Sequence, residues 1–162
     1  MKAPFSEPYT ARHNIWEFQS IVSRRLLWWA VGNVVVGVWL QQRRSKFLRG
    51  VGMQSISWGA INAMIAVGGS GIAHLRQRSH DNPLAEQVVA KEHRNLFRAL
   101  WINAILDVFY VIGGVVLALT RGTRDRLMSG SGWGIVIQGF FLFVFDVIHA
   151  VVMSADGQDD DD

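Results

Sequence analysis

Cysteine is absent from the 162-residue chain, which excludes a disulfide framework, thiolate metal ligation and thiolate nucleophiles and leaves the redox compartment unread. Charge is missing from long stretches. Residues 99–119 and 133–153 contain no Lys or Arg and one acidic residue each, Asp107 and Asp146. Helices formed there lack the charged face that a water-soluble bundle needs. Enzyme signatures are missing too, so a non-enzymatic protein is expected. Gly68-Gly69-Ser70-Gly71 has no lysine to make a phosphate loop, and Gly130-Ser131-Gly132 is a hinge-like turn with no base nearby. The first twenty residues include Glu7, Arg12, His13, Asn14 and Glu17, so they offer no apolar core for a cleavable signal peptide. The first apolar span is expected to serve as an uncleaved anchor.

What is present is apolar and aromatic: half of the residues are hydrophobic, with seven Trp and nine Phe, and the mean hydropathy is +0.19. The sequence pI of about 9.8 does not signal nucleic acid, because the basic residues flank apolar spans and an acidic tail offsets them. These features imply an all-α, polytopic membrane protein: one domain, residues 1–154, of four transmembrane helices in one bundle, followed by a disordered acidic tail, 155–162. The bilayer is the expected environment, specifically a bacterial inner membrane, with a membrane-protein partner or a second copy as further candidates. No cofactor and no metal is expected.

The spans are placed at about 23–42, 51–75, 97–119 and 133–153. Residues 26–40 alone would rise only about 22 Å against a hydrocarbon core of about 30 Å. The first helix must therefore continue into its flanks, with Arg24 and Arg25 snorkelling to the interface. Trp28, Trp29, Trp39, Trp101 and Trp133 fall where an aromatic belt belongs. Thr10 to Ser23 reads as a short interfacial helix with Ile15, Trp16, Phe18 and Val22 against lipid. The second span is rich in Gly, Ala and Ser, which allow close helix approach. It is expected to be the most enclosed helix, and the run 68–71 to end or bend it. Asn82-Pro83 resembles a helix start, Asn82 as cap and Pro83 at the first helical position.

A weak 2+2 internal repeat is visible. Gly50, Gln54 and Asn62 have the spacing of Gly134, Gln138 and Asp146, and Asn33 and Asp107 each lie nine residues after an arginine. Two helices per half give both halves the same direction, so any pseudo-twofold axis runs along the membrane normal.

Asp107 and Asp146 fall well inside apolar spans, where a carboxylate costs at least ~2.5–3.5 kcal/mol unless it is enclosed, partnered or protonated. Asn103, Asp107 and Tyr110 share one helical face, as do Gln138, Asp146 and His149. With Asn33, Gln54 and Asn62 they define an expected buried polar network across all four helices. The leading reading is structural, interhelical hydrogen bonding in an accessory component of a membrane complex. The alternative is a proton-coupled carrier or channel element using Asp107 and Asp146. A third reading makes His74 and His149 axial ligands of a haem held between the second and fourth helices.

Glu92, Asn103, Asp107, Tyr110 and Gly114, followed by Gly132-Trp133-Gly134, Gln138-Gly139, Leu142 and Asp146, resemble the pattern of a family of small bacterial membrane proteins known only as a domain of unknown function. The resemblance implies four membrane helices and no established activity. His149 lies outside that pattern.

Basic residues flank both ends of the spans. The two short connections carry Arg43, Arg44, Lys46, Arg49, Arg121, Arg124 and Arg126 close to the membrane. They are expected to be cytoplasmic, with both termini outside.

Overall fold

Each apolar span is the centre of a longer helix. The computed structural model describes residues 14–155; of the expected tail at 155–162, Ala155 ends the last helix and the rest lies outside the described residues. Four α-helices follow in order: α1 (Ile15–Gln41), α2 (Lys46–Ser79), α3 (Glu86–Leu119) and α4 (Arg126–Ala155). A single 3-10 turn, Arg121–Thr123, precedes α4. All four are long and apolar enough to cross a membrane. At 34 residues, α2 and α3 rise about 51 Å and project beyond a hydrocarbon layer of about 30 Å. The loop end of the bundle carries the 42–45 and 120–125 connections, and the terminal end carries Asn14, Ala155 and the 80–85 connection.

Short polar side chains set the helix starts. Asn14 Oδ1 accepts from Glu17 N at 3.2 Å, Ser45 Oγ from Leu48 N at 3.4 Å and Asp125 Oδ1 from Leu127 N at 2.8 Å, each satisfying an amide that has no partner within its helix. Asn82 does not cap α3. Its Oδ1 accepts from Leu84 N at 3.2 Å, and its carbonyl from Ala85 N at 3.1 Å. These bonds close a turn around Pro83, and the helix begins only at Glu86.

The helices pack as two hairpins, α1 on α2 and α3 on α4, joined through α2 and α4. Glycine makes all three contacts close. A methyl at Gly37 would lie 2.7 Å from the Gly52 carbonyl oxygen and 2.9 Å from Ile56 N; one at Gly114 would lie 2.8 Å from Gly132 O and 3.0 Å from Val136 N. Seven residues deeper, Gly59 faces Ala30 and Val34, while Gly139 faces Asp107 and Val111. Between the hairpins, Gly50 abuts Leu127 and Gly130 abuts Phe47. Every one of these contacts maps onto its counterpart when α2 is advanced by eighty positions and α1 by seventy-seven. The internal repeat is therefore real, with a pseudo-twofold axis between α2 and α4.

Its register differs from the sequence reading by one helical turn in each helix pair. Gly50 corresponds to Gly130, not Gly134, and Asp107 to Ala30, not Asn33. Residues three or four apart share a helical face, so a repeat read from composition alone slips by a turn without penalty. The three-residue difference between the two shifts is taken up by the longer second connection, which holds the 3-10 turn.

Of the expected interfacial helix, Thr10 to Ser23, residues 10–13 lie outside the described residues, and the described part is not a separate element. Ile15 to Ser23 forms the first turns of α1 itself, and Ile15, Trp16, Phe18 and Val22 are buried against Leu100, Ala150 and Met153. The indole of Trp16 donates to Pro83 O at 3.0 Å, tying α1 to the 80–85 connection. Packing against α3 and α4 buries on both sides what an interfacial site would cover only with lipid. The second span is not the most enclosed, a position that belongs to α4. Gly68, Gly69 and Gly71 meet no neighbour, and α2 passes straight through them to Ser79.

Candidate functional site: a polar cleft between the second and third helices

Although consecutive, α2 and α3 hardly touch. Between them opens a cleft of two connected cavities, one of about 400 Å³ toward the terminal end and one of about 220 Å³ deeper. Leu26, Ile65, Asn103, Phe145 and Asp146 line both.

Repeat divergence explains why this groove is open while its counterpart between α4 and α1 is filled. Trp29 occupies the α1–α4 groove, stacked on Phe141 with ring centroids 3.5 Å apart and donating from Nε1 to Gln138 Oε1 at 3.2 Å. Gln138 Nε2 donates in turn to Asn33 Oδ1, and Asn33 Nδ2 to Trp29 O at 2.9 Å. Further up, His149 packs edge-on to Phe18 and accepts from Arg25 Nη1 at 3.1 Å, while its Nδ1–H donates to Phe145 O at 2.6 Å. The corresponding positions in the α2–α3 groove hold Leu106 for Trp29, Ile61 for Phe141 and Gly69 for His149. These three smaller residues leave the space, and the larger counterparts of Gln138 and Asn33, Trp58 and Tyr110, stand on its wall.

The polar groups fall in that space. Asp107, 4% exposed, and Asp146, 7% exposed, line the deeper cavity together, where two carboxyl groups so enclosed disfavour carrying charge at the same time. Asn62 lines the same cavity at 1% exposure with no partner for its Nδ2, and Asp107 Oδ2 has none either. Tyr110 meets Trp58 edge-on at 4.9 Å on the wall. The mouth is set by Arg76, whose Nη1 lies 3.0 Å from Glu92 Oε2 and donates to Oε1 at 3.2 Å. Glu92 is 3% exposed, and this pair bridges helices that otherwise stay apart.

The expected single network is thus two separate groups of residues. Asn33, Gln138 and His149 fill the α1–α4 groove; Asn62, Asp107 and Asp146 face the α2–α3 cleft. Gln54 joins neither, packing half-buried against Gly134. Asn103 and Tyr110 are exposed rather than buried, because the face of α3 that carries them looks into a cleft that α2 does not close. His74 and His149 do not meet. His74 lies exposed beside Ser70 and Ser20 in an outer groove between α1 and α2, whereas both ring nitrogens of His149 are engaged inside. Among the described residues no three His, Cys, Asp or Glu side chains gather to hold a metal.

Sequence reasoning missed Trp29, Trp58 and Arg76. In sequence Trp29 groups with Trp28 as a belt residue, but a helix turns adjacent side chains about 100° apart, so Trp28 is 71% exposed while Trp29 turns into the groove.

Fold and cleft together define a bundle of four helices, each long and apolar enough to cross a membrane, with a polar cleft between α2 and α3. The chain belongs to DUF6992, a family of unknown function, which matches residues 25–147 and so includes both hairpin contacts and both carboxyls. No curated protein and no solved structure matches the chain.

Proposed function

We propose that this bundle handles protons or small cations as a carrier or channel element, with Asp107 and Asp146 as its working pair. One observation carries the reading. In the repeat, the half of the interior holding Asn103, Asp107, Asn62 and Asp146 corresponds to a half built from Leu26, Ala30, Leu142 and Ala66. The fold is held on one side of the axis by small and aliphatic residues at those same positions, of which Leu26, Ala66 and Leu142 form an apolar cluster. The polar groups are therefore not required as packing glue, and a buried carboxyl retained without a structural need is the mark of an ion or proton path. The pair exchanges a proton between two oxygens that face the cleft, with no covalent step.

The test is proton flux into proteoliposomes under an imposed potential. Wild-type protein is expected to accelerate flux, and Asp107→Asn and Asp146→Asn to abolish most of the acceleration while keeping hydrogen-bonding capacity. Flux unchanged by both substitutions would overturn the proposal in favour of a structural or accessory subunit of a membrane complex.

A further inference from the structure

We infer that the cleft between α2 and α3 binds a lipophilic organic cation, which enters sideways from the bilayer and competes with protons for the carboxyl pair. The inference rests on the reading of Asp107 and Asp146 as a working site and adds the class of ligand.

Four features of the cleft specify that class. Among the described residues its deeper cavity is lined by two acidic groups and no Lys, Arg or His, so no basic group there compensates them. Among the described residues the one basic group on the outer cavity, Arg76, is already paired with Glu92. Trp58 and Tyr110 meet edge to face, at 79°, on the wall beside the carboxyls, which puts two aromatic rings, whose π-faces attract cations, on the same cavity. Asn62, almost fully buried and lacking a partner for its amide nitrogen, lines the same wall, which marks the cavity as unfilled rather than collapsed. Leu26, Ile65, Leu142 and Phe145 add apolar wall and Gln19, Ser23, Asn95 and Asn103 uncharged polar wall, and the larger cavity lies within the size range of small-molecule sites, about 300–1,000 Å³. A small inorganic cation would use the carboxyls but not the apolar and aromatic wall, and a neutral lipid tail would leave two carboxyls facing hydrocarbon.

Proton competition follows from what surrounds the pair. From α1 the pair is faced by Leu26, with no titratable group; from α2 by Asn62 and Trp58, with Arg76 at the mouth held by Glu92; from α3 by Tyr110. On α4 the neighbouring His149 bonds away to Arg25. Occupation by a cation and protonation of the pair are then alternative ways to neutralise the same two groups.

The experiment titrates purified full-length protein in a neutral detergent with tetraphenylphosphonium, using triphenylphosphine oxide as the uncharged aromatic control. Saturable binding is expected at pH 8, displaced on acidification and by dodecylammonium but not by the uncharged control. Asp107→Asn and Asp146→Asn should each weaken it by about tenfold or more, and Trp58→Leu by about threefold to thirtyfold, the span of a cation–π contact. Trp58→Leu serves as the deciding variant should either aspartate substitution fail to fold. Equal affinity for the charged and uncharged probes, or affinity indifferent to all three substitutions, would overturn the inference. Aspartate-dependent proton flux without saturable cation binding would overturn it while leaving the proposed function standing. Cation binding that depends on the carboxyls without proton flux would support it and remove proton transport instead.

Discussion

Gly50 of α2 and Gly130 of α4 each press on the other's helix, Gly50 at Leu127 and Gly130 at Phe47, and this reciprocal contact marks the pseudo-twofold axis of the bundle. In lipid there is no hydrophobic drive between helices, so backbone approach of this kind supplies van der Waals contact that larger residues would forbid.

Gly130→Ala is accordingly expected to lower thermal stability in detergent, by about 1–3 kcal/mol if neighbours relax as in other overpacked interiors. Gly68→Ala and Gly69→Ala, where nothing lies within 4 Å, should be neutral or stabilising by up to about 1 kcal/mol through helix propensity alone. Melting curves of the three variants check the contrast. Equal losses at Gly130 and Gly69 would mean that α2 and α4 do not meet as described.

Replacing both carboxyls by their repeat counterparts separates function from packing. Asp107→Ala with Asp146→Ala reproduces the Ala30 and Ala66 of the other half. Replacing both members of a buried polar pair by apolar residues of similar volume is often neutral or stabilising, and here truncation only widens a cavity that is already open, so the double variant is expected to melt near the wild-type temperature. A loss of about 3 kcal/mol or more, of the size seen when a buried pair is broken, would show the carboxyls to be structural.

The filled groove should behave in the opposite way. Gln138 is 2% exposed and joins Trp29 to Asn33, so Gln138→Leu leaves an indole N–H and an amide oxygen buried without partners, at about 1–3 kcal/mol for each group. Thermal melts measure the loss directly, and indifference to the substitution would contradict the bonded chain.

How much of this was legible follows from the same residues. The four helices were readable because 99–119 and 133–153 lack basic residues and carry one acid each, a constraint that water would not impose. Membrane-depth acids pointed to Asp107 and Asp146 for the same reason. The division of the polar residues between two grooves was not readable, because it depends on the absence of packing between α2 and α3, which their small residues would equally have permitted. Nor was the repeat register, since Gly130 and Gly134 lie on one helical face and only the contact with Phe47 selects between them.

Orientation follows from where basic charge remains free. The terminal end has nine Lys and Arg, Lys2, Arg12, Arg24, Arg25, Arg76, Arg78, Lys91, Arg94 and Arg98, against seven at the loop end. Number alone would place the termini in the cytoplasm. Two of the nine, however, are engaged within the bundle, Arg25 with His149 and Arg76 with Glu92. The seven at the loop end sit on or beside two short connections, where the positive-inside bias is strongest. Around α1, which usually dominates, Arg43, Arg44, Lys46 and Arg49 follow the span, against Arg12, Arg24 and Arg25 before it. Acidic residues contribute little to the rule, so the aspartates near the C-terminus do not decide it. We therefore expect both short connections to be cytoplasmic and both termini outside. In a bacterial host, a C-terminal alkaline phosphatase fusion should be active and the matching green fluorescent protein fusion dark. The reverse pair of signals would invert the orientation and place the mouth of the cleft, at Arg76 and Glu92, on the cytoplasmic side.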